Sequence, residues 1–159
     1  MPTILTPGDI AIVGYITNGS PDSFSFVNLV PLEAGTVIYF TDNGWMGSAF
    51  RGSSATDGDG NENLIRLTVN STIAAGTVIS SLDVTASFTW TKSGAIGPGG
   101  NYADLSLSQS GEQIAAFQST NTANPLNSGF TGIFQIDNTG VFENATSSTE
   151  GNVITGLLD

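Results

Sequence analysis

The residues best placed to do chemistry in this chain are oxygen donors. From Asp57 the sequence runs Asp-Gly-Asp-Gly-Asn-Glu-Asn, so Asp57, Asp59 and Asn61, with Glu62 beside them, put oxygen side chains at every second position. Calcium loops use that spacing to bring successive ligands to one side of a tight turn. The EF-hand signature is incomplete, because Glu62 stands where such a loop needs Gly and no closing Glu between helices follows. A solvated polar loop is the other reading of the same residues. Asp42 and Asn43 supply a second oxygen pair, and together with Asp57, Asp59, Asn61 and Glu62 they would complete a calcium site if the two segments meet in space. Asp-Asn-Gly is also a common turn sequence that needs no metal.

Other chemistries are narrower. The chain has no Cys and no His, which removes disulfides, thiolate or imidazole ligands and the commonest general base. A Ser-His-Asp triad, a papain-like dyad and a zinc hydrolase are therefore impossible within one chain. What remains is a carboxylate pair, for example Asp42 with Glu62, acting as acid and base on a glycoside. Fourteen acids guarantee some neighbouring pairs, so the pattern alone does not mark an enzyme. Trp45, next to Asp42 and Asn43 at a strand's end, is a candidate for stacking a sugar ring, with the Asp and Asn anchoring hydroxyls. Trp90 alternates with Phe88 and reads as core. Gly97-Pro98-Gly99-Gly100 lacks the Lys-Ser/Thr of a phosphate loop and any helix after it.

Charge narrows the partners. Three basic residues (Arg51, Arg66 and Lys92) face fourteen acids, a formal charge of −11. Nucleic acids and anionic membranes need clustered basic groups, so both are excluded as partners, whereas divalent cations are favoured. Charged residues make up only 11% of the chain, against roughly a quarter in an average soluble domain, so Ser, Thr, Asn and Gly must cover the surface. With 159 residues and 39% hydrophobic content, one domain spanning residues 1–159 is expected. The acidic, Cys-free, Gly- and Asn-rich composition suits bacterial secreted surface proteins and an extracellular or cell-surface setting. Met1 to Leu5 carries neither a basic n-region nor an apolar run of signal-peptide length, so export would use a mature start, a trimmed signal or a C-terminal signal.

The elements that must position these residues read as strands. Val37 to Phe40 is an unbroken apolar run of β-branched and aromatic residues, too short for a helix, which predicts a strand buried on both faces and stopped by Asp42-Asn43-Gly44. Ile10 to Ile16 reads as a first strand buried on both faces, with Gly14 marking a bulge or a close backbone neighbour. Ser23 to Val30 alternates so that Phe24 and Phe26 share a face, forming a hairpin with it. Leu64 to Val69 points Ile65, Leu67 and Val69 inward and Arg66 and Thr68 outward. Ala-Gly-Thr leads into Val-Ile at residues 34–38 and again at 75–79, as two corners of a sandwich would. Leu105 with Leu107, Glu112 to Gln118, Ile133 to Ile136 and Val153-Ile154 add further strands. About nine or ten short strands without an amphipathic helix predict an all-β, two-sheet antiparallel β-sandwich of jelly-roll or Ig-like type.

Gly8 to Tyr15, Phe24-Ser25-Phe26-Val27, Ala34-Gly35-Thr36, Tyr39 to Trp45 and Ser110 to Ile114 together resemble a class of bacterial secreted β-sandwich modules distantly similar to lamin-tail domains. The resemblance spans about Gly8 to Phe117. It implies the sandwich fold and an extracellular place, and no general activity. The expectation is thus a non-catalytic structural protein that associates with copies of itself into a filament or matrix, with calcium as a stabilising ion. An arm of Pro2, Thr3, Ile4, Leu5, Thr6 and Pro7 would serve as the exchanged strand. The same arm folded back on its own sandwich is the competing arrangement. A carbohydrate-binding or adhesion module is the alternative function.

Overall fold

In the computed structural model, residues 1–52, 62–96, 100–109, 111–137, 153, 154 and 157 are described. They form ten strands and no helix: β1 (Ile10–Ile16), β2 (Ser23–Asn28), β3 (Val37–Thr41), β4 (Leu64–Val69), β5 (Val78–Ser80), β6 (Phe88–Thr91), β7 (Gly94–Ile96), β8 (Gly100–Tyr102), β9 (Gln113–Ser119) and β10 (Phe130–Asp137). A three-stranded sheet has the order β1-β2-β5. A seven-stranded sheet runs β10-β9-β3-β4-β8-β7, with β6 also pairing to β4. All the pairings are antiparallel except β4 with β8, so the architecture is the expected β-sandwich.

Alternation explains the layer between the sheets. Phe24 and Phe26 of β2 are buried against Phe40 of β3, with ring centroids 4.8 and 5.0 Å apart. Ile65, Leu67 and Val69 of β4 join them, while Arg66 and Thr68 are less buried. Strand β3 is covered on its other face too. Tyr39 stacks on Phe117 at 5.4 Å, within a second core that includes Trp45, Phe50, Leu126 and Ile154. That second core is roofed by connecting segments, since Trp45, Phe50, Leu126 and Ile154 all lie outside the strands.

The two Ala-Gly-Thr corners open strands in different sheets. Gly35, at φ 87°, precedes β3, and Gly76, at φ 81°, precedes β5. An L side chain is strained in that left-handed region, so Gly is the fitting residue at both. In each corner the following Thr hydroxyl donates to a carbonyl three residues back: Thr36 to Glu33 and Thr77 to Ala74, both at 2.7 Å. A bridge between Leu32 and Ile73 ties the corners together.

Three expectations are corrected. Strand β1 is not buried throughout: Ile10 and Ile12 are, but Val13, Tyr15 and Ile16 are exposed. The cause is local, a register shift between Ile12 and Gly14 at an outer strand of its sheet. Leu105 and Leu107 are both buried at 4% exposure, yet they belong to no strand. Val153 and Ile154 likewise form none; Ile154 is buried and packs over Gly132 of β10, where a Cβ would lie 2.8 Å from its Cγ2. The arm of Pro2, Thr3, Ile4, Leu5, Thr6 and Pro7 lies on its own sandwich within the single chain, the second of the two arrangements expected of it. Leu5 is fully buried, Thr3 N donates to Thr36 Oγ1 at 2.8 Å, and Leu5 N donates to Gln118 Oε1 at 2.9 Å. Gln118 Nε2 returns a bond to Thr3 O at 3.1 Å. These contacts hold the arm in place as part of the fold.

Candidate functional site

The end of β3 is where the sequence concentrates its chemistry, and the structure turns that chemistry inward. Asp42 is 0% and Asn43 1% exposed, which corrects the picture of an open turn presenting a carboxylate and an amide. Each Asp42 oxygen accepts a backbone N–H: Oδ1 from Asn63 at 2.6 Å and Oδ2 from Ser106 at 2.7 Å. Asn43 Nδ2 donates to Thr41 Oγ1 at 2.7 Å and to Asn63 O at 3.1 Å. Asn43 Oδ1 is buried and accepts no hydrogen bond among the described residues. Asn63, the last residue of the acidic segment, is thereby fastened to the end of β3.

The segment carrying Leu105 and Leu107 explains why carboxylates gather here. Leu105 and Leu107 are buried while Ser106 between them is exposed, and the segment is no strand, so its N–H groups have no ladder to join and find other acceptors. Three consecutive ones find carboxylates from three different parts of the chain. Ser106 N donates to Asp42, Leu107 N to Asp22 Oδ2 at 2.9 Å, and Ser108 N to Glu112 Oε2 at 3.3 Å. Asp22 also takes Gly19 N on its other oxygen at 3.1 Å, and Glu112 Oε1 takes Gln113 N at 3.0 Å. Sequence reasoning missed Asp22 and Glu112, which looked like a turn residue and the start of a strand. The only signal was an alternating Leu-x-Leu pair flanked by Asp104 and Ser108, which mimics a strand.

Burial dominates the acid–base character of the two innermost acids. It raises Asp42 from the ordinary carboxylate value to about 7, with the Asn63 and Ser106 amides pulling down and the Asp22 charge pushing up. Burial likewise raises Glu112 to about 8, opposed by the Gln113 and Ser108 amides and reinforced by the charges of Asp42 and Asp137. Both groups therefore hold their protons well above the usual carboxylate range. Asp42, saturated and buried, is not positioned to serve as an acid or base on a glycoside.

The calcium candidates divide. Asp57, Asp59 and Asn61 lie outside the described residues, while Glu62 directly precedes the fastened Asn63. Among the described residues no group of three or more Asp, Glu, His or Cys side chains is arranged to hold a metal ion. The sugar-stacking candidate is corrected: Trp45 is 4% exposed, edge-on to Phe50 at 5.0 Å and Phe130 at 5.1 Å. Neither face of its ring is available, because Phe50 and Phe130 fill the space over the strand's end. Trp90 is the partly exposed indole. It packs against Phe24 and Phe40, and its Nε1 donates to Ser80 O at 3.2 Å.

Comparison with protein-family models, with curated proteins and with solved structures finds no match for this chain.

Proposed function

We propose that this chain is a non-catalytic structural module of an extracellular or cell-surface assembly, and that it works by associating with copies of itself. One observation carries the reading. In a chain of charge −11, β1 (IAIVGYI), β5 (VIS), β6 (FTWT) and β7 (GAI) at sheet margins hold no charged side chain, and β10, at the remaining margin of the seven-stranded sheet, carries only its last residue, Asp137. Soluble proteins commonly place Lys or other charges on such margins to prevent pairing between molecules. Among the described residues the other acids lie outside the strands. The resemblance to secreted lamin-tail-like modules agrees with the setting. Pairing between sheet margins replaces exchange of the arm at residues 2–7, which its own sandwich already holds.

Calcium enters this proposal through the acidic segment Asp57 to Glu62, where a bound divalent ion would reduce repulsion between subunits. Light scattering and electron microscopy across protein concentration, with calcium and with chelator, test the reading. Growth of assemblies with concentration, enhanced by calcium, is the expected result. A monodisperse monomer in every condition overturns it. A saccharide-binding module is the second reading, now favoured only by the partly exposed Trp90.

A further inference from the structure

One sheet margin has an apolar groove beside it. Strand β6 pairs with β4 on one side, in the register Arg66 to Thr91 through Val69 to Phe88. Ser87 O accepts from Asn70 N at 2.8 Å, so Ser87 faces β4. Antiparallel alternation then turns the peptide groups of Thr89 and Thr91 toward β4 and those of Phe88 and Trp90 toward the other side. Among the described residues no strand pairs there.

Along this margin runs a groove of about 410 Å³, bounded by Phe88, Thr89 and Trp90 on β6 and by Leu82 and Val84 on the preceding segment. Val84 is 98% and Leu82 51% exposed, high values for aliphatic side chains beside an indole. The groove's two charged residues are engaged within the chain. Lys92 Nζ lies 2.6 Å from Asp104 Oδ1, and Asp83 Oδ2 accepts Ser80 N at 2.7 Å. The groove thus offers apolar surface and unpaired peptide groups, the combination that captures an added extended strand.

The molecule also carries a segment of matching character. Beyond its register shift, β1 ends in Val13-Gly14-Tyr15-Ile16, with Val13 56%, Tyr15 42% and Ile16 53% exposed. Among the described residues its only strand partner is β2. It has no charge, and its four residues equal the length of β6. Building on the self-association reading, we propose that the β6 groove of one copy accepts the Val13–Ile16 end of β1 from a second copy. The contact joins two neutral, apolar surfaces of a strongly acidic protein, so it brings no acid against another. It is head-to-tail, leaving one groove and one β1 end free, and a contact of this kind that does not close into a ring grows into a fibre.

Sedimentation velocity on four samples tests it: the native chain, Leu82→Lys with Val84→Lys, Val13→Lys with Ile16→Lys, and an equimolar mixture of the two variants. All four substituted residues are exposed, and thermal melting confirms that each variant folds. Added Lys lowers the net negative charge, so lost assembly cannot be ascribed to general repulsion. The native chain is expected to assemble, each variant to stay monomeric, and the mixture to stop at a one-to-one dimer, since it contains one working groove and one working β1 end. If the native chain and either variant assemble alike, this contact is wrong and the self-association reading survives. A native chain that stays monomeric overturns both. An oligosaccharide bound by the native chain and lost in the groove variant, with that variant still assembling, assigns the groove to sugars and overturns the proposal.

Discussion

The end of β3 and the margin of β6 treat the same problem in opposite ways. Both hold backbone that no strand among the described residues pairs. At the end of β3 the unpaired N–H groups belong to the segment anchored by the buried Leu105 and Leu107, and Asp42, Asp22 and Glu112 supply their acceptors. Along β6 the outward peptide groups of Phe88 and Trp90 meet an open apolar groove. The difference teaches that acids serve this fold where backbone is enclosed, whereas the groove beside β6 carries a single acid, Asp83, already bonded to Ser80. In a chain with few bases, that division separates a stabilising polar network from a surface suited to a partner.

Breaking the buried side should have the largest effect. Asp42→Ala leaves the Asn63 and Ser106 amides without acceptors, and at about 1–3 kcal/mol for each orphaned buried group the loss is about 4 kcal/mol. Denaturant unfolding measures it. A loss below about 1 kcal/mol would mean that the carboxylate is not what holds these segments.

The acid–base character of the same region comes next. Asp42 and Glu112 release their protons at ordinary acidic pH when unfolded but hold them to about 7 and about 8 in the fold. Between those limits the folded state binds more protons, so stability must fall as pH rises. The contribution is fully present below about pH 4 and is lost by about pH 8, with a slope of at most about 1.4 kcal/mol per pH unit for each group. Melting temperature across pH 4 to 9 checks the sign. Asp42→Asn should flatten the portion below pH 7. A melting temperature that rises over this range would show both acids to be ionised in the fold.

The open side should barely register in stability. Val84→Lys changes a side chain that is 98% exposed, and a surface change of this kind stays within about 0.5 kcal/mol. Its effect is expected in association alone. A melting temperature several degrees lower would reveal that the groove wall supports the fold, which would narrow the contrast between the two regions.

Much of the sandwich was legible in residue order, because strand burial has a short period. The run from Val37 to Thr41, the alternation of Leu64 to Val69 and the shared face of Phe24 and Phe26 each need only local sequence to predict which side faces the core. The two Ala-Gly-Thr corners were legible for the same reason, since a positive φ at Gly35 and Gly76 is a local demand. The site was not. Leu105 and Leu107 alternate as a strand would, yet their neighbouring amides bond to carboxylates 64 and 85 residues away in sequence. Trp45 stands at a strand's end, but Phe50 and Phe130 bury it.

What the sequence determined by itself was most of the longer strands, the absence of His and Cys chemistry, and a composition poor in charge. Those follow from side-chain type and from periods of two residues. Only the tertiary structure decided which carboxylates are enclosed, which indole is accessible and which strand is left with an open side. Each of these depends on what distant segments place against the residue, and burial is a property of that enclosure.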